Sequence, residues 1–476
     1  MPRPFLRKGK VIMRWFIEVY TWLVSLYVAA LNTIYAVLAV ISLVGLFLHL
    51  RRKVKGRPVE RVGALFSLPV SLLVPAYNEE KTIVKAVRSF LQSDYPQYEV
   101  VVVNDGSTDG TLDVLIKEFA LYPIKRPFRK VIATAPVRTL YYSRFYPNLV
   151  VVDKENGGKA DALNAALNVA AYPYVCTLDA DSVLERDALA KVMEPFFEER
   201  GRAVAVSGVV RLVNGTLVDE FGRVKEVHLP RSSLARLQIV EYFRAFLGAR
   251  LGFSYLGSLL IASGAFAAFA KEAVVQAGGF STRTVGEDME IVVRLKRLSY
   301  QAGRPGKVIF VPDPIVWAQA PENLYDLSRQ RRRWQRGLAE VIFLHRGCLF
   351  NPRYGVCGLF ALPYQLLFEL LGPVVEAMGY VVVPVAWLFG LINTTGFWVF
   401  LWAEVFYGIF VSLLSVLYSE LSEKRYATFL EFAVLVIYAV LENFGYRQLT
   451  VVWRLQGLMD ALRRKRGWAK VERQQI

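Results

Sequence analysis

Cysteine and histidine are scarce: the 476-residue sequence holds three of each. Cys176, Cys348 and Cys357 have neither the pattern of a disulfide framework nor a zinc spacing, so they read as small buried hydrophobes in a reducing compartment. His49, His228 and His345 lie far apart, which argues against a histidine triad and an imidazole metal centre. Acids are also in deficit, with 41 Asp and Glu against 58 Lys and Arg and a formal net charge of +17. Such an excess can mark nucleic-acid binding, but no recognisable nucleic-acid module accompanies it. Its distribution follows the positive-inside rule instead. Arg51, Arg52, Lys53, Lys55 and Arg57 follow one apolar run, and Arg463, Arg464, Lys465 and Arg466 follow another. Chemistry in this chain therefore rests on carboxylates, lysine and arginine.

The composition is 54% hydrophobic, too apolar for an ordinary soluble protein, and 21% charged, too charged for a pure membrane bundle. The two kinds of residue are segregated. Residues 11–48 form an apolar run about twice the ~20 residues one span needs, and too long for a cleaved signal peptide. Either an interfacial helix feeds one span at Tyr27–Leu48, or two short spans turn near Asn32. From 356 the chain is apolar again, with spans read at 374–392, 397–417 and 427–446, and 356–372 as a fourth span or an interfacial helix. Glu369, Glu376 and Glu404 fall inside this region, where an ionisable group needs a partner or a polar cavity; the headgroup layer is the alternative for the first two. These features divide the chain into 1–57, a membrane segment with a basic flank; 58–355, a cytoplasmic α/β domain; 356–446, transmembrane or interfacial helices; and 447–476, a basic cytoplasmic tail. An even number of crossings, two or four, separates the domain from the tail.

Within 58–355 the pattern alternates between apolar strands and amphipathic helices. Strands are read at 69–75, 98–103, 149–153 and from Tyr174, with polar, glycine-containing turns at the strand ends, where an open α/β sheet binds ligands. Residues 121–147 carry six basic residues, no acid and four prolines, and read as a loop or small hairpin exposed on the surface. The stretch Ile261–Phe269 reads as a buried wall of the site.

Six motifs carry chemistry. Pro75, Tyr77 and Glu79 end the first strand with a proline-shaped turn, an aromatic and a carboxylate, suited to a nucleoside; helix capping would look the same. Asp105, in an Asx- and Gly-rich turn, offers an acceptor to a base or ribose, or merely caps a turn. Lys159 follows Gly157 and Gly158 at a helix N-terminus, a favoured place for a phosphate. Asp179 and Asp181 are two hard-oxygen groups one residue apart, which the period-two geometry of a strand would put on one side, suited to Mg²⁺ or Mn²⁺ on a diphosphate. Glu287 and Asp288 open a helix, where Asp288 can act as a general base, although acids also favour a first helical turn without any catalytic task. Finally, Gln330, Arg333 and Trp334 combine a diphosphate-binding guanidinium with a flat surface for a sugar, or else mark a juxtamembrane helix.

In this order the motifs resemble the family-2 glycosyltransferases, specifically the processive membrane-embedded branch that includes cellulose, hyaluronan, chitin and bacterial poly-N-acetylglucosamine synthases. The resemblance implies a GT-A (Rossmann-like nucleotide-sugar) cytoplasmic domain plus an α-helical transmembrane region in a multi-pass protein of the plasma membrane. It further implies that Pro75, Tyr77, Glu79, Asp105, Lys159, Asp179 and Arg333 hold the nucleotide sugar, and that Asp181 ligates Mg²⁺ or Mn²⁺. Asp288 would be the base of an inverting transfer. Ser263, Gly264, Glu287, Gln330 and Trp334 would meet the acceptor. The implied partners are a UDP-sugar, with UDP-N-acetylglucosamine preferred over UDP-glucose, a growing polysaccharide, the lipid bilayer and accessory export subunits, but no nucleic acid. The implied activity is polymerisation with export of the product. Single transfer to polyprenyl phosphate is the alternative, disfavoured by the Gln330, Arg333 and Trp334 motif. A catalytically silent receptor or channel on the same fold is the remote third reading. No cyclic-di-GMP-binding module is read after the last span, and the 121–147 insertion is longer than in compact members. Both points weigh against cellulose more than against the activity.

Overall fold

The computed structural model describes residues 4–54, 67–125, 127–390, 394–422 and 428–463. Lys55, Arg57 and the basic residues beyond 463 lie outside the described residues. The strands, in chain order, are β1 Val70–Ala76, β2 Tyr98–Asp105, β3 Leu121–Ile124, β4 Val137–Ser143, β5 Leu149–Lys154, β6 Tyr174–Leu178, β7 Val183–Leu184, β8 Ala203–Leu212, β9 Leu217–Val218, β10 Val224–Glu226, β11 Phe266–Ala270 and β12 Lys307–Ala318. Ten of them form one sheet in the order β3-β4-β5-β2-β1-β6-β11-β8-β12-β7, while β9 and β10 pair separately. The central β5-β2-β1-β6 block is parallel. Its Val- and Leu-rich runs suit strands covered on both faces. β11 runs antiparallel between β6 and β8, so the second half of the small-residue stretch expected to be a buried wall, from Phe266 on, is a sheet strand.

Parallel pairing brings the C-terminal ends of β1, β2, β5 and β6 to one edge, where Ala76 faces Asn104 and Asp105 faces Lys154. At that edge β6 stops at Leu178. Asp179 and Asp181 therefore lie in the turn beyond it, closed by the Ser182 amide donating to the Asp179 carbonyl at 3.2 Å. The period-two argument does not hold for this pair, which lies in a turn with Asp179 half-buried and Asp181 buried. The 121–147 insertion is the small hairpin among the two forms expected, with β3 and β4 antiparallel. Pro123 is tolerated because β3 is an edge strand.

The N-terminal apolar run is one continuous helix, Pro4–Val54. At 1.5 Å per residue it is roughly 75 Å long, well over the ~30 Å hydrocarbon core. Asn32 makes no turn, because its side chain donates to Glu404 at 2.9 Å and its carbonyl accepts from Tyr407 at 2.6 Å. The turn near Asn32 is thereby excluded. The far end of this helix is tied to the sheet domain: His49 and Lys53 meet the buried Asp313 of β12 at 2.9 and 3.2 Å. Burial alone would raise the Asp313 pKa, but the His49 hydrogen bond and the charges of His49, Lys53 and Lys191 hold it well below the usual carboxylate range.

Among the described residues, three helical segments are long and apolar enough to cross a membrane: Trp15–Lys53, Cys357–Leu388 and Phe397–Ser422. The span expected at 427–446 is shorter. Phe429–Leu441 ends and bends by 58° into Tyr446–Leu462. That last helix is amphipathic and lies against Leu324–Leu344, with the Arg332 side chain reaching Asp460 at 2.7 Å.

Candidate active site

At the ligand edge of the sheet, two turns are laced together. The Asn78 side chain accepts from the Thr108 amide at 2.7 Å, the Thr111 hydroxyl accepts from the Glu79 amide at 2.8 Å, and the Gly110 amide donates to Glu80 at 3.2 Å. The turn after β1 is thus fixed on the turn after β2, with Tyr77 left exposed. Pro75 is the penultimate residue of β1. The Glu79 carboxylate accepts from the Thr82 hydroxyl at 2.8 Å at the start of the Ile83–Phe90 helix.

Asp105 is buried, and its carboxylate takes the Lys154 ammonium at 2.5 Å, the Gly157 amide at 3.0 Å and the Gly158 amide at 2.8 Å. The expectation that the turn before Lys159 offers its amides to a phosphate is corrected by the same contacts, since Asp105 is the anion bound there. Lys154 is fully buried and also reaches Asp161 at 2.6 Å, while Asp161 accepts from the Ala135 amide at 3.1 Å. Two carboxylates share one ammonium. This cluster fixes the geometry of the 156–158 turn and so the base of Lys159.

Lys159 opens the Lys159–Val169 helix and reaches across the edge to Asp179 at 2.6 Å and Glu287 at 3.4 Å, with the Gly264 carbonyl at 3.4 Å. Burial would lower its pKa, but the charges of Asp179, Glu287 and Asp288 hold it above its ordinary value. Glu287 is shifted upward, by burial first and also by Asp288, with Lys159 and Arg333 opposing. Gly264 lies against both groups: a Cβ there would lie 3.0 Å from Asp288 Oδ2 and 3.4 Å from Lys159 Nζ, so even alanine would press on them. Ser263, whose amide donates to the Ser207 hydroxyl at 3.2 Å, sits just before β11 on the same wall. The structure therefore gathers Lys159, Asp179, Glu287, Asp288 and Gly264 from four separate parts of the chain.

The Glu287–Gln301 helix, which carries Asp288, is fastened to Leu324–Leu344, which carries Gln330, Arg333 and Trp334. The Val285 amide donates to Glu340 at 2.9 Å, and buried His345 meets Glu290 at 3.1 Å. Between these two bonds Gly286 and Gly337 touch backbone to backbone. A Cβ on Gly337 would lie 3.1 Å from both Cα and N of Gly286. Trp334 is 45% exposed. Its neighbour Arg331 is buried against Glu241 at 2.7 Å and stacks on the Trp334 ring at 4.2 Å. Gln330 is half-buried and accepts from Arg331 at 3.3 Å.

The model of the glycosyl transferase family group 2 matches residues 174–441, over half of the chain, and that of glycosyl transferase family 2 matches residues 71–275. The chain belongs to glycosyl transferase family group 2. It is a glycosyltransferase, and its sheet is that of the GT-A fold. Among curated relatives, the poly-beta-1,6-N-acetyl-D-glucosamine synthase of Staphylococcus epidermidis is 28% identical over 274 residues, 57% of this chain and 55% of that protein. The synthase of Staphylococcus aureus strain COL matches to the same extent. This glycosyltransferase thus spans about half the length of the curated relatives it matches. Among solved structures, a mannosyltransferase from Pyrobaculum calidifontis in complex with GDP-Man and Mn²⁺ aligns with a TM-score of 0.52 at 20% identity, covering 92% of this chain and 100% of that one. That likeness establishes the fold.

In this glycosyltransferase each expected membrane glutamate has a partner. Arg454 reaches Glu369 at 3.2 Å, Arg447 reaches Glu376 at 3.5 Å, and Asn32 serves Glu404. Sequence reasoning missed Lys154, Asp161, Gly337 and His345. For Lys154 a signal existed, since a lysine ending an otherwise apolar parallel strand must find a carboxylate.

Proposed function

We propose that this glycosyltransferase polymerises a sugar from a UDP-sugar, UDP-N-acetylglucosamine first, into a β-linked polysaccharide and passes the product through its own membrane helices. The observation that carries the reading is the convergence of Lys159, Asp179, Glu287 and Asp288 at one sheet edge, on a helix bolted to the one bearing Arg333 and Trp334. The curated relatives named as poly-beta-1,6-N-acetyl-D-glucosamine synthases support the choice of donor and product.

In this reading an acceptor hydroxyl gives its proton to Asp288 while its oxygen bonds to the anomeric carbon of the donor. The bond from that carbon to the UDP oxygen breaks on the opposite face, so the configuration inverts. Negative charge grows on the departing diphosphate, where Lys159 and Arg333 stabilise it. Tyr77 and Glu79 would flank the nucleoside, and Pro75 would shape their turn. Asp105 supports the site from beneath through the 156–158 turn. Ser263, Gly264, Glu287, Gln330 and Trp334 would form the acceptor side, with Trp334 as the stacking surface.

Asp179 and Asp181 suit a divalent cation. They are hard oxygen donors, and Mg²⁺ and Mn²⁺ sites are commonly built from one or two carboxylates completed by substrate phosphates. No cluster of three or more such ligands exists among the described residues, which fits a site finished by the donor. Asp181 would hold Mg²⁺ or Mn²⁺, which would supply charge neutralisation to the diphosphate. Asp179, already paired with Lys159, would serve the nucleotide.

The candidate spans support a multi-pass plasma-membrane protein with two crossings between the sheet domain and the last helix pair; a cytoplasmic sheet domain and accessory export subunits belong to the same proposal. The test is incorporation of radiolabel by the purified protein from a panel of UDP-sugars, with products sized on a gel. High-mass product from UDP-N-acetylglucosamine is expected. One sugar on a lipid as the sole product would overturn polymerisation in favour of single transfer to polyprenyl phosphate.

A further inference from the structure

The helix that begins at Ser233 runs to Tyr255 with one wide, π-helical segment at Arg244–Arg250. Such segments are inserted where a helix must re-aim side chains, and they are frequent at functional sites. Two of the charges on this helix are neutralised nearby. Glu241 meets Arg331 at 2.7 Å and accepts from Tyr446 at 2.6 Å, and Arg244 meets Glu442 at 2.6 Å. Arg250 differs. Its guanidinium lies over the Phe246 ring at 4.1 Å, and its Nη1 is sealed from solvent with no hydrogen-bond partner among the described residues. Leaving a buried donor unmatched is costly, so a group absent from the free protein is expected to meet it.

The surroundings indicate which group. Tyr242, Phe246 and Arg250 follow one another at four-residue spacing on one helix face. The Tyr242 and Phe246 rings lie 5.7 Å apart, and Tyr242 lies 6.5 Å from Trp334. At the other end, Arg250 is in the electrostatic field of Asp288. An aromatic track thus leads from Trp334 through Tyr242 and Phe246 to a guanidinium that feels the charge of Asp288. Burial pushes the Arg250 pKa down to about 10, which leaves the group cationic at neutral pH.

We propose that Arg250, with Tyr242 as its aromatic neighbour, is the subsite for the terminal sugar of the acceptor, the guanidinium donating to that sugar's hydroxyl or acyl oxygens and so aligning the attacking hydroxyl on Asp288. This rests on the reading of the site as a sugar-transfer centre. The donor's diphosphate has its own cations in Lys159 and Arg333, which leaves Arg250 to the acceptor.

The test uses the full chain with Arg250→Gln and Arg250→Lys. Initial rates are measured with UDP-N-acetylglucosamine while a β-1,6-linked N-acetylglucosamine tetramer is varied, and UDP affinity is measured in parallel. Losing a charged hydrogen bond to the acceptor predicts a rise of about tenfold or more in acceptor KM for Arg250→Gln, with a smaller rise for Arg250→Lys. Donor KM and UDP affinity are expected to stay unchanged, which also shows that the variants fold. UDP release by the unaltered chain with an unchanged acceptor KM in Arg250→Gln would overturn this inference alone. So would a loss of UDP affinity in both variants. Absence of UDP release from the unaltered chain would overturn the sugar-transfer reading on which it rests.

Discussion

Replacing Gly337 by alanine tests whether the base is held in place by the helix behind it. The new Cβ would lie 3.1 Å from both Cα and N of Gly286, whereas carbon contacts ordinarily settle at about 3.5–4.0 Å. No side chain can move aside, because the obstacle is backbone. The two helices must therefore separate by roughly half an ångström, at an overpacking cost of ~1–3 kcal/mol. The Val285–Glu340 and His345–Glu290 bonds resist that separation on either side. Asp288 is two residues from the wedge, so the shift moves it relative to Arg333. A misplacement of about 1 Å can cost ~10²-fold in rate, which puts half of it near a tenfold loss of kcat. Donor KM and UDP affinity should hold, because the turns after β1 and β2 are untouched. Gly347→Ala is the control, since nothing lies within 4 Å of a Cβ there. Steady-state kinetics on both variants decide the matter. An undiminished kcat in Gly337→Ala would refute the claim that this contact positions the base.

Two further outcomes follow from buried charges. Lys154→Met leaves Asp105 and Asp161 without their shared ammonium, and breaking such a buried pair costs ~3–5 kcal/mol. A markedly lowered melting temperature and weakened UDP binding are expected; an unchanged melting curve would contradict the network's role. Asp313 has a folded pKa depressed below its unfolded value of 3.8, so its contribution is present above that value and lost as pH falls through the folded one. Asp313→Asn should therefore lower the melting temperature in detergent near neutral pH, and the gap to the unaltered chain should close as the pH is taken below about 3.8. A gap that widens on acidification would refute the pairing with His49 and Lys53.

Much of the fold could be read from the sequence because apolar runs of Val and Leu leave parallel strands little alternative. The strand ends at Ala76, Asp105, Lys154 and Leu178 fall within a few residues of where turn-forming residues put them. What escaped was set by distant partners. Asn32 resembles a turn residue until Glu404, 372 positions later, supplies its hydrogen bond. The ammonium that Asp105 holds is also invisible until β5 is found paired with β2, which sets Lys154 directly opposite it. Asp179 and Asp181 were grouped by the period of a strand, and that argument fails because β6 stops at Leu178 and the pair lies in the turn beyond it. Gly337 carries no chemical signal, and its importance exists only where two helices meet. The assembly of Lys159 with Asp179, Glu287 and Asp288 needed the sheet order, and in particular the antiparallel β11 that presents Gly264.

The most direct test of the account is transfer from UDP-N-acetylglucosamine with Mn²⁺ by the unaltered chain and by Asp288→Asn, with polymer and released UDP both quantified. General-base catalysis is worth ~10²–10⁴-fold, so Asp288→Asn should lose at least about 10²-fold in polymer formation while binding UDP as before. Equal polymer and equal UDP release from the two proteins would show that Asp288 is not the base.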